Sequence, residues 1–260
     1  MRPVPAFWLI NTNVIVLRTW FKSVMQSGGS IHTLTRLGDR AGVFRDRTHA
    51  GEVLADMLQG IGVAQPLILG IPAGGVPVAA AIAPRLGAPL DVAVVSKITL
   101  PWNTEAGYGA VAFDGTVRLN EALLPRLALS QIDIRDGIEA TTAKVTRRLR
   151  RLRANRPLPA LSGRPVVLVD DGLASGFTMR VAIEAVRNAG AEQIVVAVPT
   201  AHARATREIA SEVTALYCPN ICGGSSFAVA DAYERWSDVK EDKVLSILEL
   251  FFPESSKVPA

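Results

Sequence analysis

Two cysteines and three histidines in 260 residues leave little material for several common chemistries. Cys218 and Cys222 have no histidine beside them, so a zinc site is poorly supported, and one cysteine pair in a chain this long is not a disulfide framework. Reduced, largely buried thiols are the expectation. His32, His49 and His202 are scattered, and none stands in a nucleophile–base arrangement visible in the sequence, which leaves hydrolase chemistry little support. Long apolar runs are also scarce. The strongest, VPAFWLINTNVIVL (4–17), is interrupted by Asn11 and Asn13 and falls short of the ~20 apolar residues a spanning helix needs. Arg2 precedes it, but no small-residue cleavage site follows before SVMQSGGS (23–30), so no membrane partner and a cytoplasmic location are expected. No aromatic interleaves the basic run KVTRRLRRLRANR (144–156), which therefore reads as a solvated helix face, and no nucleic-acid partner is expected.

What the chain does have is a composition suited to one sizeable core: 49% hydrophobic, 20% charged, with a mild net charge of +4 that favours an anionic substrate. From residue 44 onward, strand and helix patterns alternate. RTHAGEVLADMLQGIG (47–62) reads as a helix, PLILGI (66–71) as a buried strand, GVPVAAAIAPRLG (75–87) as a helix and LDVAVVSKI (90–98) as a second strand. AVAFDGTVRL (110–119) has Asp114-Gly115 between alternating apolar residues and reads as a hairpin. A long helix (129–153) follows, and further strands are expected at 192–199 and 212–218. Such alternation argues for an α/β fold, a parallel sheet covered by helices. The expected division is an extension at 1–42, disordered or beginning at a start codon set too early, a domain at 43–252, and a tail at 253–260.

The run VVLVDDGLASGFT (166–178) carries the most chemistry. Val166 to Val169 suit a strand buried on both faces, which puts Asp170 and Asp171 at its carboxyl end, where ligands collect in open α/β sheets. Gly172, Ala174, Ser175 and Gly176 permit a tight turn, and Thr178 stands before an amphipathic helix (178–191), so unpaired N–H groups and the positive helix end face one point. A phosphate fits there. Paired carboxylates would repel further phosphate oxygens but accept well from vicinal hydroxyls, so a phosphorylated sugar meets both demands. The plainer reading is an N-capping Asp pair at an ordinary strand-to-helix turn.

This run resembles the signature of the type I phosphoribosyltransferases. The resemblance extends to FRDRTHAGEVLADML (44–58), LGIPAGGVPVAAAIAPRLG (69–87), SKITLPWNTEAGYGAV (96–111), IVVAVPTA (194–201) and AYERWSDVKEDKV (232–244), and so covers about residues 43–250. It implies a Rossmann-like parallel-sheet phosphoribosyltransferase type I fold with a flexible loop or hairpin and a small C-terminal hood-like segment. The implied reaction transfers ribose 5-phosphate from phosphoribosyl pyrophosphate to a nitrogen base of unknown identity, with Mg²⁺ bound mainly through the substrate. A homodimer is a further expectation.

The resemblance also implies roles for residues. Asp170 and Asp171 would hold the ribose, and Leu173, Ala174, Ser175, Gly176, Phe177 and Thr178 the 5-phosphate; Phe177 is bulkier than the small residue common there. Ala73, Gly74 and Gly75 would meet pyrophosphate in a loop that often contains a cis peptide, here expected at Ala73–Gly74, and Ala73 stands where a basic residue is frequent. Lys97 would bring charge to the reacting centre, grouped with the aspartates as catalytic, while Asn103 and Glu105 on a mobile loop would order its closed form or meet the acceptor. Plainer readings exist for each: a βα turn, a snorkelling strand-end lysine, loop polarity. Phe227, Tyr233 and Trp236 could form a base-stacking slot or anchor the terminal helix. Two rivals to the transferase are a non-catalytic sensor of phosphoribosyl pyrophosphate and a sugar-phosphate phosphatase.

Overall fold

The structure is a computed structural model that describes residues 21–24, 28–60 and 65–252, with backbone alone for 21–24 and 104–105. In chain order the elements are β1 (Phe21–Val24), β2 (Ser30–Leu34), α1 (Arg47–Leu58), β3 (Leu67–Gly70), α2 (Gly75–Arg85), β4 (Leu90–Val92), β5 (Val95–Leu100), β6 (Asn103–Ala112) and β7 (Val117–Leu119). Then follow α3 (Gln131–Arg153), β8 (Val166–Val169), α4 (Phe177–Asn188), β9 (Ile194–Ala197), β10 (Thr200–His202), α5 (Ala203–Ala210), β11 (Ala215–Tyr217), β12 (Asn220–Cys222) and α6 (Glu241–Glu249).

Seven strands form the central sheet in the order β1-β2-β11-β9-β8-β3-β4, parallel throughout except for the antiparallel β1–β2 pair. The all-apolar strands explain why it is covered on both faces. Alternate residues of one strand enter opposite cores, as a period of two requires. Leu67, Leu69, Val166, Leu168, Ile194 and Val196 pack against Met179, Ala182, Ile183 and Val186 of α4. Ile68, Val167, Val169, Val195 and Ala197 belong to the other core, with Leu54 and Leu58 of α1 and Val76, Ala79 and Ile82 of α2. Among the described residues no helix is long and apolar enough to cross a membrane.

The extension expected up to residue 42 contributes to this sheet. Ser30–Leu34 pairs in parallel with β11, Ile31 and Leu34 are buried, and the Asp39 N–H donates to Ile221 O at 3.1 Å. Residues 1–20 lie outside those described. Burying two large aliphatic side chains contributes about 1.5–3 kcal/mol each, and the β2 ladder covers the edge of β11. Deleting residues 1–40 is therefore expected to lower the thermal midpoint by several degrees and promote association. An unchanged melt of the truncated chain would show that β2 contributes nothing.

Residues expected to form one strand at 90–98 form two. β4 ends the central sheet, and the chain then leaves it for a separate three-stranded antiparallel sheet of β5, β6 and β7. The segment expected as a mobile loop at 96–110 is largely this β5–β6 hairpin, turned at Pro101 and Trp102. Its glycines are strand residues: a side chain on Gly109 would strike Arg118 O across the ladder. Asp114-Gly115 makes the β6–β7 turn as expected, with Gly115 at φ 91° and the Asp114 carboxylate accepting from Thr116 N–H at 2.9 Å.

The basic helix is less solvated than its composition implies. α3 opens on a capping box in which the Ser130 hydroxyl accepts from Asp133 N–H and the Asp133 carboxylate from Ser130 N–H. Toward its end Arg148 bonds Glu241 at 3.0 Å, Arg151 bonds Asp242, and Arg153 is buried against Asp91 at 2.9 Å. These residues clasp α6 and the sheet edge, while Arg147 and Arg150 are exposed.

Candidate functional site

β3 and β8 are neighbours in the sheet with Gly70 opposite Val169, so the loops leaving their carboxyl ends emerge side by side. Ile71 N–H donates to Val169 O at 2.8 Å and fixes their relation. The two loops then touch. A side chain on Gly75 would strike Val169 O and the Asp170 Cα, and one on Gly74 would overlap the Asp171 carboxylate. Glycine at 74 is thus a matter of space rather than of turn, since its backbone is helical at φ −65°. The cis peptide expected at Ala73–Gly74 lies one residue earlier, at Pro72–Ala73. No described residue accepts from the N–H groups of Ala73 or Gly74.

Asp170 and Asp171 are both half-buried. The Asp170 carboxylate accepts from Asp171 N–H at 2.9 Å, and burial, reinforced by the negative charge of Asp171, holds Asp170 well above the usual carboxylate range. Burial also raises Asp171, against the opposing pull of Arg47. Arg47 was not singled out in the sequence. Its Nε donates to Asp171 Oδ2 at 2.9 Å, its Nη2 lies 2.9 Å from the same oxygen, and its Nη1 donates to Ser237 O at 2.8 Å. The guanidinium stacks over Trp236, 3.9 Å from the ring centroid, and Tyr233 donates its hydroxyl hydrogen to Asp171 O at 2.7 Å. A signal for Arg47 existed: a cation in the first turn of a helix, right after the N-cap Asp46, opposes the helix dipole and calls for an acceptor elsewhere.

The elevated Asp170 has a consequence for stability. Between the ordinary value of 3.8 and its raised folded value, the native state holds a proton that the unfolded chain releases. Stability contributed by this group therefore falls as pH rises through that window. Asp170→Asn removes the fall, so the variant is expected to melt higher than the unaltered chain at pH 7 and alike below 3.8. Equal melting temperatures at neutral pH would contradict this assignment of charge.

The turn after the aspartates forms a cup, with two exceptions among the expected donors. Leu173 is buried, and its N–H donates to Thr200 O at 2.9 Å while its carbonyl accepts from His202 N–H, so it serves as a bridge to β10 and not as a ligand donor. Phe177 donates its N–H to Ser175 Oγ at 3.3 Å, and its ring packs against the core, so it does not narrow the cup. Gly176, at φ 72°, makes the left-handed turn into α4. The N–H groups of Ala174, Ser175, Gly176 and Thr178 have no acceptor among the described residues. They converge at a helix start that carries no acidic side chain in its first turn.

The remaining expected residues lie apart. Lys97 is an exposed residue of β5 opposite Ala110, with Gly107 beside its aliphatic stem, and no hydrogen bond or ion pair joins it to the aspartates. The Asn103 side chain accepts from Ala106 N–H at 3.3 Å within the hairpin turn. The Glu105 side chain lies outside the described residues. Tyr233 is buried with Phe44 and with Ala50 of α1 in a small core that contains no residue of α6. Trp236 is 38% exposed. Cys218 and Cys222 are free thiols, and burial pushes both upward in pKa.

A parallel sheet with a phosphate-type cup and an acidic pair at one strand end, a glycine loop at the next, and a separate hairpin sheet is the type I phosphoribosyltransferase fold. Residues 47–232 match the phosphoribosyl transferase domain, and the chain belongs to that family. It is similar to TT1426 of Thermus thermophilus, at 36% identity and a TM-score of 0.66 over 80% of this chain and 98% of that one. It is also 35% identical to Rv0571c and MT0597 from two strains of Mycobacterium tuberculosis, proteins named for the same family, over 80% of this chain. The chain spans about half the length of these curated relatives, 46% of each.

Proposed function

We propose that this chain transfers ribose 5-phosphate from phosphoribosyl pyrophosphate to a nitrogen nucleophile and releases pyrophosphate. The observation that carries the reading is the contact between the two loops: the backbone at Gly74 and Gly75 lies against Asp170 and Asp171, and amides of both loops have no acceptor among the described residues. Two sets of N–H donors and an acidic pair suit the phosphate, pyrophosphate and vicinal hydroxyls of the donor.

The N–H groups of Ala174, Ser175, Gly176 and Thr178, with the hydroxyls of Ser175 and Thr178, hold the 5-phosphate. Asp170 and Asp171 accept from the ribose hydroxyls, and the N–H groups of Ala73 and Gly74 face the pyrophosphate. Departure of pyrophosphate leaves positive character on the anomeric carbon, as in other glycosyl transfers. The fixed dipoles act there by positioning and electrostatic stabilisation. Among the described residues no group of three or more His, Cys, Asp or Glu is placed to hold a metal ion. Mg²⁺ would be held mainly through the substrate, since that ion dehydrates reluctantly and keeps several waters. When bound, the ion neutralises charge on the leaving group. Lys97 remains the candidate for additional positive charge from the hairpin.

Its position on an exposed strand face, without a contact to the aspartates, favours one second reading, a donor-binding sensor. Incubating the protein with phosphoribosyl pyrophosphate, Mg²⁺ and a panel of purine, pyrimidine and pyridine bases separates the two. Base-dependent pyrophosphate release is the expected result; donor binding with no release by any base would replace the transferase with the sensor.

A further inference from the structure

Arg47, the last residue of the FRDR run (44–47), is the only side-chain cation in contact with the acidic pair among the described residues. Two adjacent carboxylates set between two phosphate-binding loops pose an electrostatic problem. Both ends of the donor are anionic, and each carboxylate repels them. We propose that Arg47 is a positioning residue of the donor site, which offsets the charge of Asp171 and holds that carboxylate against the glycine loop so that anions can be bound on either side of it. The inference rests on the phosphoribosyl pyrophosphate reading above.

Three features support this role over that of an ordinary surface pair. The pair is secluded, with side-chain exposures of 10% for Arg47 and 17% for Asp171, so solvent screens it little. Its geometry is fixed from four sides: Trp236 stacks on the guanidinium, Ser237 O accepts from Nη1, Tyr233 donates to Asp171 O, and Gly74 leaves room for the carboxylate and nothing else. Finally, Nε and Nη2 of Arg47 both address one oxygen, Asp171 Oδ2, an approach to the carboxylate from a single side.

The C-terminal segment is built to deliver this contact. Phe44 N–H donates to Ala232 O at 3.0 Å, Glu234 N–H to Phe44 O at 2.8 Å, and Arg235 N–H to Arg45 O at 2.9 Å, so the strand-like stretch before α1 is laced to residues 232–235. Arg235 also pairs with the N-cap Asp46 at 2.6 Å. This lacing brings Trp236 and Ser237 over Arg47.

The test is a charge-compensation cycle read by calorimetry with two probes, inorganic pyrophosphate and ribose 5-phosphate, each with Mg²⁺. Arg47→Gln should weaken pyrophosphate binding by about tenfold at low salt, the scale of one partly buried charge contact, and by less as salt is raised. Adding Asp171→Asn should restore pyrophosphate binding to within about threefold of the unaltered protein, because the uncompensated charge is gone. Ribose 5-phosphate binding should be weakened in the double variant, because a neutral amide oxygen accepts from ribose hydroxyls less strongly than a carboxylate. A purely structural role for Arg47 would give no rescue, and neither would a direct bond from Arg47 to the ligand; absence of rescue overturns the proposal. Arg47→Lys, which keeps charge and loses the stack, serves as the folding control and should retain most of the affinity. If the unaltered protein binds neither probe, the donor reading itself fails, and this inference with it.

Discussion

Replacing Asp170 and Asp171 together by asparagine is expected to weaken phosphoribosyl pyrophosphate binding by about a hundredfold or more while leaving the fold intact. Hydrogen bonds to charged groups contribute about 1.5–3 kcal/mol each, so losing the charge at both acceptors removes a few kcal/mol of donor affinity. The fold should survive because neither side chain lies in the two cores, and the bond from Asp171 N–H to the side-chain oxygen of residue 170 is available to asparagine. Asp170→Asn alone should raise stability at neutral pH, because burial penalises its charged form, whereas Asp171→Asn offsets part of that gain by leaving Arg47 without its counter-charge. Calorimetric titration measures the affinity and thermal melting the stability. Undiminished affinity in the double variant would remove the aspartates from the donor site.

The largest expected effect on stability lies at the β4 edge of the sheet. Asp91 in the edge strand β4 and Arg153 at the end of α3 meet at 2.9 Å with side-chain exposures of 5% and 3%. Asp91 Oδ1 accepts from Val92 N–H at 2.7 Å, and Arg153 bonds Pro157 O, but Arg153 Nε has no partner among the described residues. Asp91→Ala would leave a guanidinium buried without its counter-charge, which typically costs about 3–5 kcal/mol. Replacing both partners by apolar residues of similar volume, Asp91→Leu with Arg153→Met, should recover most of that loss. Denaturant unfolding of the three proteins reads the cycle. A single-variant loss under about 1 kcal/mol would mean that water reaches Arg153 and solvates it.

The sheet core and the tight turn into α4 were legible because their signals are local. The Val166–Val169 run, the small residues after it and the amphipathic α4 are contiguous, and strand burial follows directly from apolar composition. β2 was not legible: SIHTL is short and half polar, and its partner β11 lies far away in sequence, so only tertiary pairing makes it a strand. The β5–β6 hairpin resembled a loop because Pro101, Asn103 and the interspersed glycines and alanines obscure its alternation, and strands of a separate sheet need not read as buried. Arg47 was hidden for another reason. Its partners Asp171, Trp236 and Ser237 come from distant segments, and no spacing rule connects them. Leu173 failed as an expected donor because its N–H is spent on Thr200, a bridge between strand ends that the linear motif does not display.

The central claim is that the two adjoining strand-end loops bind phosphoribosyl pyrophosphate. Its most direct test is titration of the isotope-labelled chain with donor and Mg²⁺ while following backbone amide signals. The amides of Ala73, Gly74, Ala174, Ser175, Gly176 and Thr178 have no acceptor among the described residues and should show the largest shifts, with Leu173 moving less because its N–H is already bonded. Shifts concentrated instead on the exposed face of α3 around Arg147 and Arg150, with the loop amides unmoved, would contradict the assignment of the donor site.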